Sequence, residues 1–98
     1  AGRVDVVVGS ATDGLIAAHD LVVLEDDRRY FPPYDAVPVM NAASLSAHPL
    51  LAEAMASLAG RIDEGAMRRM NLAVDGEHRS AAAVAREFLR DSGLAAPR

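Results

Sequence analysis

Val4-Asp5-Val6-Val7-Val8, closed by Gly9, and Leu21-Val22-Val23-Leu24 a little further on decide the fold class of this chain. Both runs are apolar and rich in β-branched residues. An unbroken apolar run bounded by glycine reads as a short strand buried on both faces, with parallel strands as its neighbours. Ala36-Val37-Pro38-Val39-Met40 reads as a third strand, which Pro38 confines to a sheet edge or a strand end. Between the first two runs, Ser10-Ala11-Thr12-Asp13-Gly14 is turn chemistry, and Leu15-Ile16-Ala17-Ala18-His19 is a short helical patch that Thr12 or Asp13 can cap.

At Asn41 the pattern changes to helical. Asn41 caps a short turn, and Pro49 opens a helix with Leu51, Ala54, Met55 and Leu58 on one face, closed by Gly60. Asp63 caps a second helix, which carries Met67, Met70, Asn71 and Val74 inward and ends at Asp75-Gly76. Ser80 caps a third, with Val84, Phe88 and Leu89 inward, Arg86, Glu87 and Arg90 outward, and Gly93 closing it. The fold class is therefore α/β, three short strands followed by about three helices. Two strands buried on both faces ask for more sheet than these residues supply, so the chain is expected to be part of a larger α/β protein.

Composition sets the outer limits. The chain has 98 residues, of which 51% are hydrophobic and 24% charged, too apolar for disorder and enough for one modest domain at most. Its ten strong bases are all arginine and stand against 14 acidic residues, a net charge of −4, which argues against a broad nucleic-acid or anionic-membrane surface. Cysteine is absent, so disulfides, thiol catalysis and zinc–thiolate sites are excluded. No apolar run approaches the roughly 20 residues that cross a bilayer. The start, Ala1-Gly2-Arg3, has neither an initiator Met nor a signal-peptide core, so the expectation is a removed leader or a piece of something longer.

Few residues carry chemistry. Gly9-Ser10-Ala11-Thr12-Asp13-Gly14 has the strand, loop, helix order of an anion site, but the Lys-[Ser/Thr] of a P-loop and the GxGxxG fingerprint are both missing. It reads as a capped turn or as a ligand-facing loop at a strand's end. His19, His48 and His78 fall in separate segments without metal-ligand spacing, and no nucleophile elbow surrounds Ser10. Glu25-Asp26-Asp27-Arg28-Arg29 reads as a solvated turn. Tyr30, Phe31 and Tyr34, around Pro32-Pro33, are three of the four aromatics. They are either packing residues or a proline-stiffened segment that shows a tyrosine face to a ligand. The second suits a quaternary ammonium, which has no N–H to donate and is held by π faces.

Asp20-Leu21-Val22-Val23-Leu24-Glu25-Asp26-Asp27 and Phe31-Pro32-Pro33-Tyr34-Asp35-Ala36-Val37-Pro38-Val39 resemble the substrate-binding proteins of glycine betaine, choline and related osmoprotectant ABC importers. The resemblance continues through His48-Pro49, Leu58-Ala59-Gly60, Met70-Asn71, Val74-Asp75 and Val84-Ala85-Arg86-Glu87-Phe88-Leu89. It implies a C-terminal fragment of a two-lobed, type II periplasmic-binding-protein-like fold. Residues 1–40 would finish one lobe and supply the crossover strands, and residues 41–98 would form the helical part of the other, one partial substrate-binding domain in all. It also implies binding without chemistry or cofactor, an ABC permease as partner, no nucleic acid, and an extracytoplasmic place such as the periplasm or a lipoprotein on the outer face of the membrane.

In the family the ammonium sits in a cage of tyrosines, and Tyr34 falls where one is expected. Ser10 stands where a second cage tyrosine is common. That exchange removes a cation–π contact of roughly 0.5–2 kcal/mol, so the resemblance implies weaker binding of betaine or choline, or a larger and more polar ligand. Thr12 and Asp13 are expected as polar contacts. Two readings stand beside this one. A small α/β enzyme or anion-binding fragment would use the Gly9 to Gly14 loop, and an interaction module would pair through Met55, Met67 and Met70. Exposed strand edges would favour self-association of the fragment.

Overall fold

The computed structural model describes residues 3–94. Five α-helices run in chain order as α1 Gly14–Ala18, α2 Ala42–Ala47, α3 Leu50–Ala56, α4 Glu64–Asn71 and α5 Ala81–Asp91, and a π-helical turn, Leu72–Gly76, continues α4. Contacts divide the chain into two compact units, residues 1–23 with 63–98 and residues 24–62.

The helix boundaries follow local hydrogen-bonding chemistry. The carboxylate or amide oxygens of Asp13, Asn41 and Asp63 accept the N–H groups of Leu15 (2.9 Å), Ala43 (2.8 Å) and Ala66 (2.7 Å), and the Ser80 hydroxyl accepts that of Ala83 (3.2 Å). Each satisfies a donor that a helix leaves unpaired at its first turn. Of the two cap candidates for α1, Asp13 takes the role. Pro49 precedes α3, as its fixed φ favours. At the other end of α5, Gly93 turns left-handed (φ 68°), and Leu94 N–H reaches the Leu89 carbonyl at 2.8 Å, the six-to-one bond of a Schellman stop. The same device closes α1, with Asp20 at φ 52° and Leu21 N–H on the Ile16 carbonyl at 2.9 Å. Here an aspartate occupies the position that glycine usually fills.

The three expected strands are not formed. Among the described residues there is no β-strand, and residues 4–8, 21–24 and 36–40 are irregular. Val8, Val22 and Val39 are 89%, 85% and 89% exposed, where buried strands were expected. The reason lies in what a strand requires. β-branched side chains supply propensity, but the backbone N–H and C=O groups need a neighbouring strand, and no backbone hydrogen bond joins one of these segments to another. The second expected helix is also corrected. It is α-helical only to Asn71 and then widens, with Glu77 N–H bonding the Leu72 carbonyl at 3.0 Å across five residues.

The unit of residues 24–62 holds α2 and α3, with Leu51, Met55 and Leu58 half-buried at helical spacing and Ala54 exposed. The other unit packs α1 and α5 with α4 and its π turn, around the buried residues Gly14, Ala73 and Val84. Phe88 and Leu89 are half-buried beside Val84, as expected, but Glu87 is half-buried too, ion-paired with Arg79.

Gly14 fixes the approach of α1. A Cβ built there would lie 2.5 Å from the Leu72 nitrogen, 2.7 Å from its Cα and 2.8 Å from the Asn71 carbonyl carbon, all backbone atoms that cannot rotate away. Replacing Gly14 by Ala is therefore expected to destabilise this unit by about 1–3 kcal/mol, through overpacking. Gly9, with nothing within 4 Å of a Cβ, is the control, and Gly9→Ala is expected to stay within about 0.5 kcal/mol of the parent. Urea midpoints of the two variants check this; equal midpoints would rule out the close contact.

Candidate functional site

In the first unit the Ser10 to Asp13 loop leads into α1. Asp13 N–H donates to the Ser10 carbonyl (3.1 Å), and the Ser10 and Thr12 hydroxyls lie 3.2 Å apart, within hydrogen-bond reach of each other. The Asp13 carboxylate is committed to the Leu15 N–H. Ser10 and Asp13 are exposed and Thr12 is half-buried. Two side chains of α4 hold this loop from outside: Asn71 Nδ2 donates to the Thr12 carbonyl at 2.7 Å, and Arg68 Nε donates to the Ala11 carbonyl. Arg68 is in turn paired with Glu64 at 2.8 Å, one helical turn away. Sequence reasoning placed Asn71 on an apolar face and gave Arg68 no role. The signal available for Asn71 was a polar amide among inward-facing methionines.

In the second unit the aromatic segment depends on Asp26. Its carboxylate accepts the N–H groups of Phe31 (2.8 Å) and Tyr30 (3.0 Å), while its carbonyl accepts that of Arg29 (3.2 Å), which sits at φ 51°. The turn expected to be merely solvated is thus organised around one carboxylate, as an Asx-type turn is. Tyr30 and Phe31 meet edge to face, with ring centroids 5.1 Å apart and planes at 87°. Tyr34 is fully exposed, past Pro32-Pro33, and is the aromatic side chain with the most open face. The sequence grouped the three aromatics together; the structure brings the Tyr30 and Phe31 rings edge to face while all three remain exposed.

The three histidines are exposed and fall at turns. His19 and His48 follow α1 and α2 as C-caps, and His78 occupies a left-handed turn at φ 58°. Among the described residues no three His, Asp or Glu side chains converge as metal ligands would, and no helix is long and apolar enough to cross a membrane.

Comparison with known proteins gives this loop and this tyrosine a setting. Residues 1–91 match the family described as the substrate-binding domain of ABC-type glycine betaine transport systems. The carnitine transport binding protein OpuCC of Listeria monocytogenes serotype 1/2a (strain 10403S) is 38% identical over 88 residues, covering 90% of this chain and 29% of that protein. A glycine-betaine-binding protein of Pseudomonas aeruginosa is 37% identical over 83 residues, covering 85% and 27%. The ergothioneine transport permease/ergothioneine binding protein EgtU of Helicobacter pylori (strain G27) is 32% identical over 83 residues, covering 85% and 15%. A crystal structure of a glycine betaine/carnitine/choline ABC transporter superposes with a TM-score of 0.81 at 43% identity, over 86% of this chain and 31% of that one.

These likenesses define a fragment of a transport substrate-binding protein fold. The chain belongs to the family of substrate-binding domains of ABC-type glycine betaine transport systems, a family of binding components and not of enzymes. It spans less than a third of the length of the relatives it matches.

The Asp26 carboxyl is held below the usual carboxylate range, first by the Phe31 N–H and then by that of Tyr30. A depressed pKa means that the contribution of this turn is present above the unfolded value and is lost as pH falls through the folded one. The Tyr30 and Phe31 amide resonances are therefore expected to hold constant at neutral pH and to shift together only below about pH 4. NMR titration reads this directly, and Asp26→Asn is expected to abolish the acid transition. Amide shifts that persist in the variant would detach the turn from Asp26.

Proposed function

We propose that this chain is the C-terminal part of the substrate-binding component of an ABC importer for quaternary amine osmoprotectants of the glycine betaine, carnitine and choline type. Tyr34 supplies a π face to the ammonium, and Ser10, Thr12 and Asp13 supply polar contacts. The observation that carries the reading is the full exposure of Tyr34 at the end of a proline-stiffened segment held by Asp26. A cation without N–H donors is recognised by such faces. Ser10, where a second cage tyrosine would stand, favours a ligand larger or more polar than betaine. The relative named for ergothioneine fits that direction.

In the whole protein, ligand is gripped by closure of two lobes and handed to a permease without turnover. The setting is extracytoplasmic, with attachment as a lipoprotein or residence in a periplasm. We assign residues 1–40 to the end of one lobe and the crossover, and residues 41–98 to the helical C-terminal part of the other. The exposed valine-rich segments favour self-association when this stretch is isolated. The competing reading of Gly9 to Gly14 as an anion site is weakened by the Asp13 carboxylate, which takes the Leu15 N–H and sets a negative charge where an anion would sit.

Calorimetric titration of choline, glycine betaine, carnitine and ergothioneine into the whole protein tests the proposal. Saturable binding of at least one is expected. Tyr34→Ala is expected to weaken it roughly 2- to 30-fold by loss of the cation–π contact, while Tyr34→Phe, which keeps the ring face, is expected to stay within about threefold. No heat with any of the four would move the substrate class elsewhere, and equal affinities of the Ala variant and the parent would remove Tyr34 from the site.

A further inference from the structure

Asn71 and Arg68 are not expected to touch ligand, yet they supply the hydrogen bonds that tie the Ser10 to Asp13 loop to another element of the described chain. The loop's other bonds are internal or local: Asp13 N–H to the Ser10 carbonyl, the Ser10 and Thr12 hydroxyls together, and Leu15 N–H to the Asp13 carboxylate. The two anchored carbonyls belong to consecutive residues, Ala11 and Thr12, so they lie on the two peptide planes that flank Thr12. A peptide plane is rigid, and pinning one on each side of a residue fixes its φ and ψ and hence the direction of its side chain. With Thr12 fixed, the hydroxyl contact at 3.2 Å carries the constraint to Ser10.

Residues 68 and 71 are three apart on α4 and so share a face. Gly14 rests on the backbone just beyond Asn71, which brings the loop within reach of both donors. Asn71 is half-buried and neutral, so its bond to the Thr12 carbonyl is sheltered from solvent, whereas the Arg68 bond is exposed.

From this geometry we infer that Asn71, with Arg68 beside it, is a positioning residue for ligand recognition, holding the Thr12 peptides so that the Ser10 and Thr12 hydroxyls are set before ligand arrives. It raises affinity through the loop and without contact of its own, because a pre-ordered loop does not have to be immobilised on binding. The inference rests on the reading of this loop as ligand-facing given above.

The test uses the whole protein with Asn71→Ala, the near-isosteric Asn71→Asp, which has no donor, and Ser10→Ala/Thr12→Val. Without ligand, amide hydrogen exchange at Asp13 and Leu15 is expected to rise about tenfold in both Asn71 variants, with the α5 amides of Val84 and Phe88 unchanged. Titration with whichever of choline, glycine betaine, carnitine and ergothioneine binds the parent is expected to show roughly tenfold weaker binding in both variants. In the Ser10→Ala/Thr12→Val background, adding Asn71→Ala is expected to cost no further affinity, since it acts through those hydroxyls. A purely structural role would instead weaken both backgrounds equally and raise exchange in α5 as well, and that pattern overturns the inference. Unchanged exchange at Asp13 and Leu15 overturns it whatever binds. Binding that weakens with Tyr34→Ala but not with either Asn71 variant overturns the positioning role and leaves the proposed function standing, while a parent that binds none of choline, glycine betaine, carnitine and ergothioneine removes both.

Discussion

Gly14 meets the backbone of Asn71 and Leu72 so closely that a single added methyl group would lie 2.5 Å from a main-chain nitrogen. That approach seats the first helix against α4 and its π turn and sets the distance at which Asn71 and Arg68 reach the loop before it. A side chain at this position would hold the two backbones apart, and hydrogen bonds of 2.7 Å do not survive a displacement of even 1 Å. The polar loop therefore depends on a contact made by the absence of an atom.

The π turn extends the same arrangement. The wide turn carries the buried Ala73 and packs against α1, α4 and α5. Extra turns of this kind recur where a helix must re-aim its residues near a functional segment. In the other unit the organising group is a carboxylate. Asp26 gathers two consecutive amide groups, and this brings Tyr30 and Phe31 into their edge-to-face pair and starts the rigid Pro32-Pro33 run that ends at Tyr34.

Helix ends were legible because their chemistry is local. A cap needs one acceptor two or three residues from the donor, and Asp13, Asn41, Asp63 and Ser80 carry that signal in the sequence itself. Gly93 announces the left-handed stop of α5 for the same reason, whereas α3 ends at Ala56, four residues before the left-handed Gly60 expected to close it. Strands were not legible in this sense. Valine and leucine runs declare a preference for a pleated, buried setting, but pairing partners lie far along a chain or outside the stretch in hand, so Val4 to Val8 and Leu21 to Leu24 kept the propensity without the ladder. The family was legible through the specific run from Asp20 to Val39, and the aromatic cluster was visible as a cluster.

By itself, then, the sequence determined the N-terminal caps of the helices, the glycine stop of α5, the family to which the chain belongs, and the presence of a proline-stiffened tyrosine segment beside an acidic turn. Each rests on residues within a few positions of one another, where covalent connection already supplies proximity. Tertiary structure alone decided that Tyr34 stands open while Tyr30 and Phe31 pack on each other, that helix α4 widens after Asn71, and that Arg68 and Asn71 hold carbonyls 57 and 59 positions away. Those outcomes depend on which backbones can approach closely in space, and a linear pattern of residue types does not specify that.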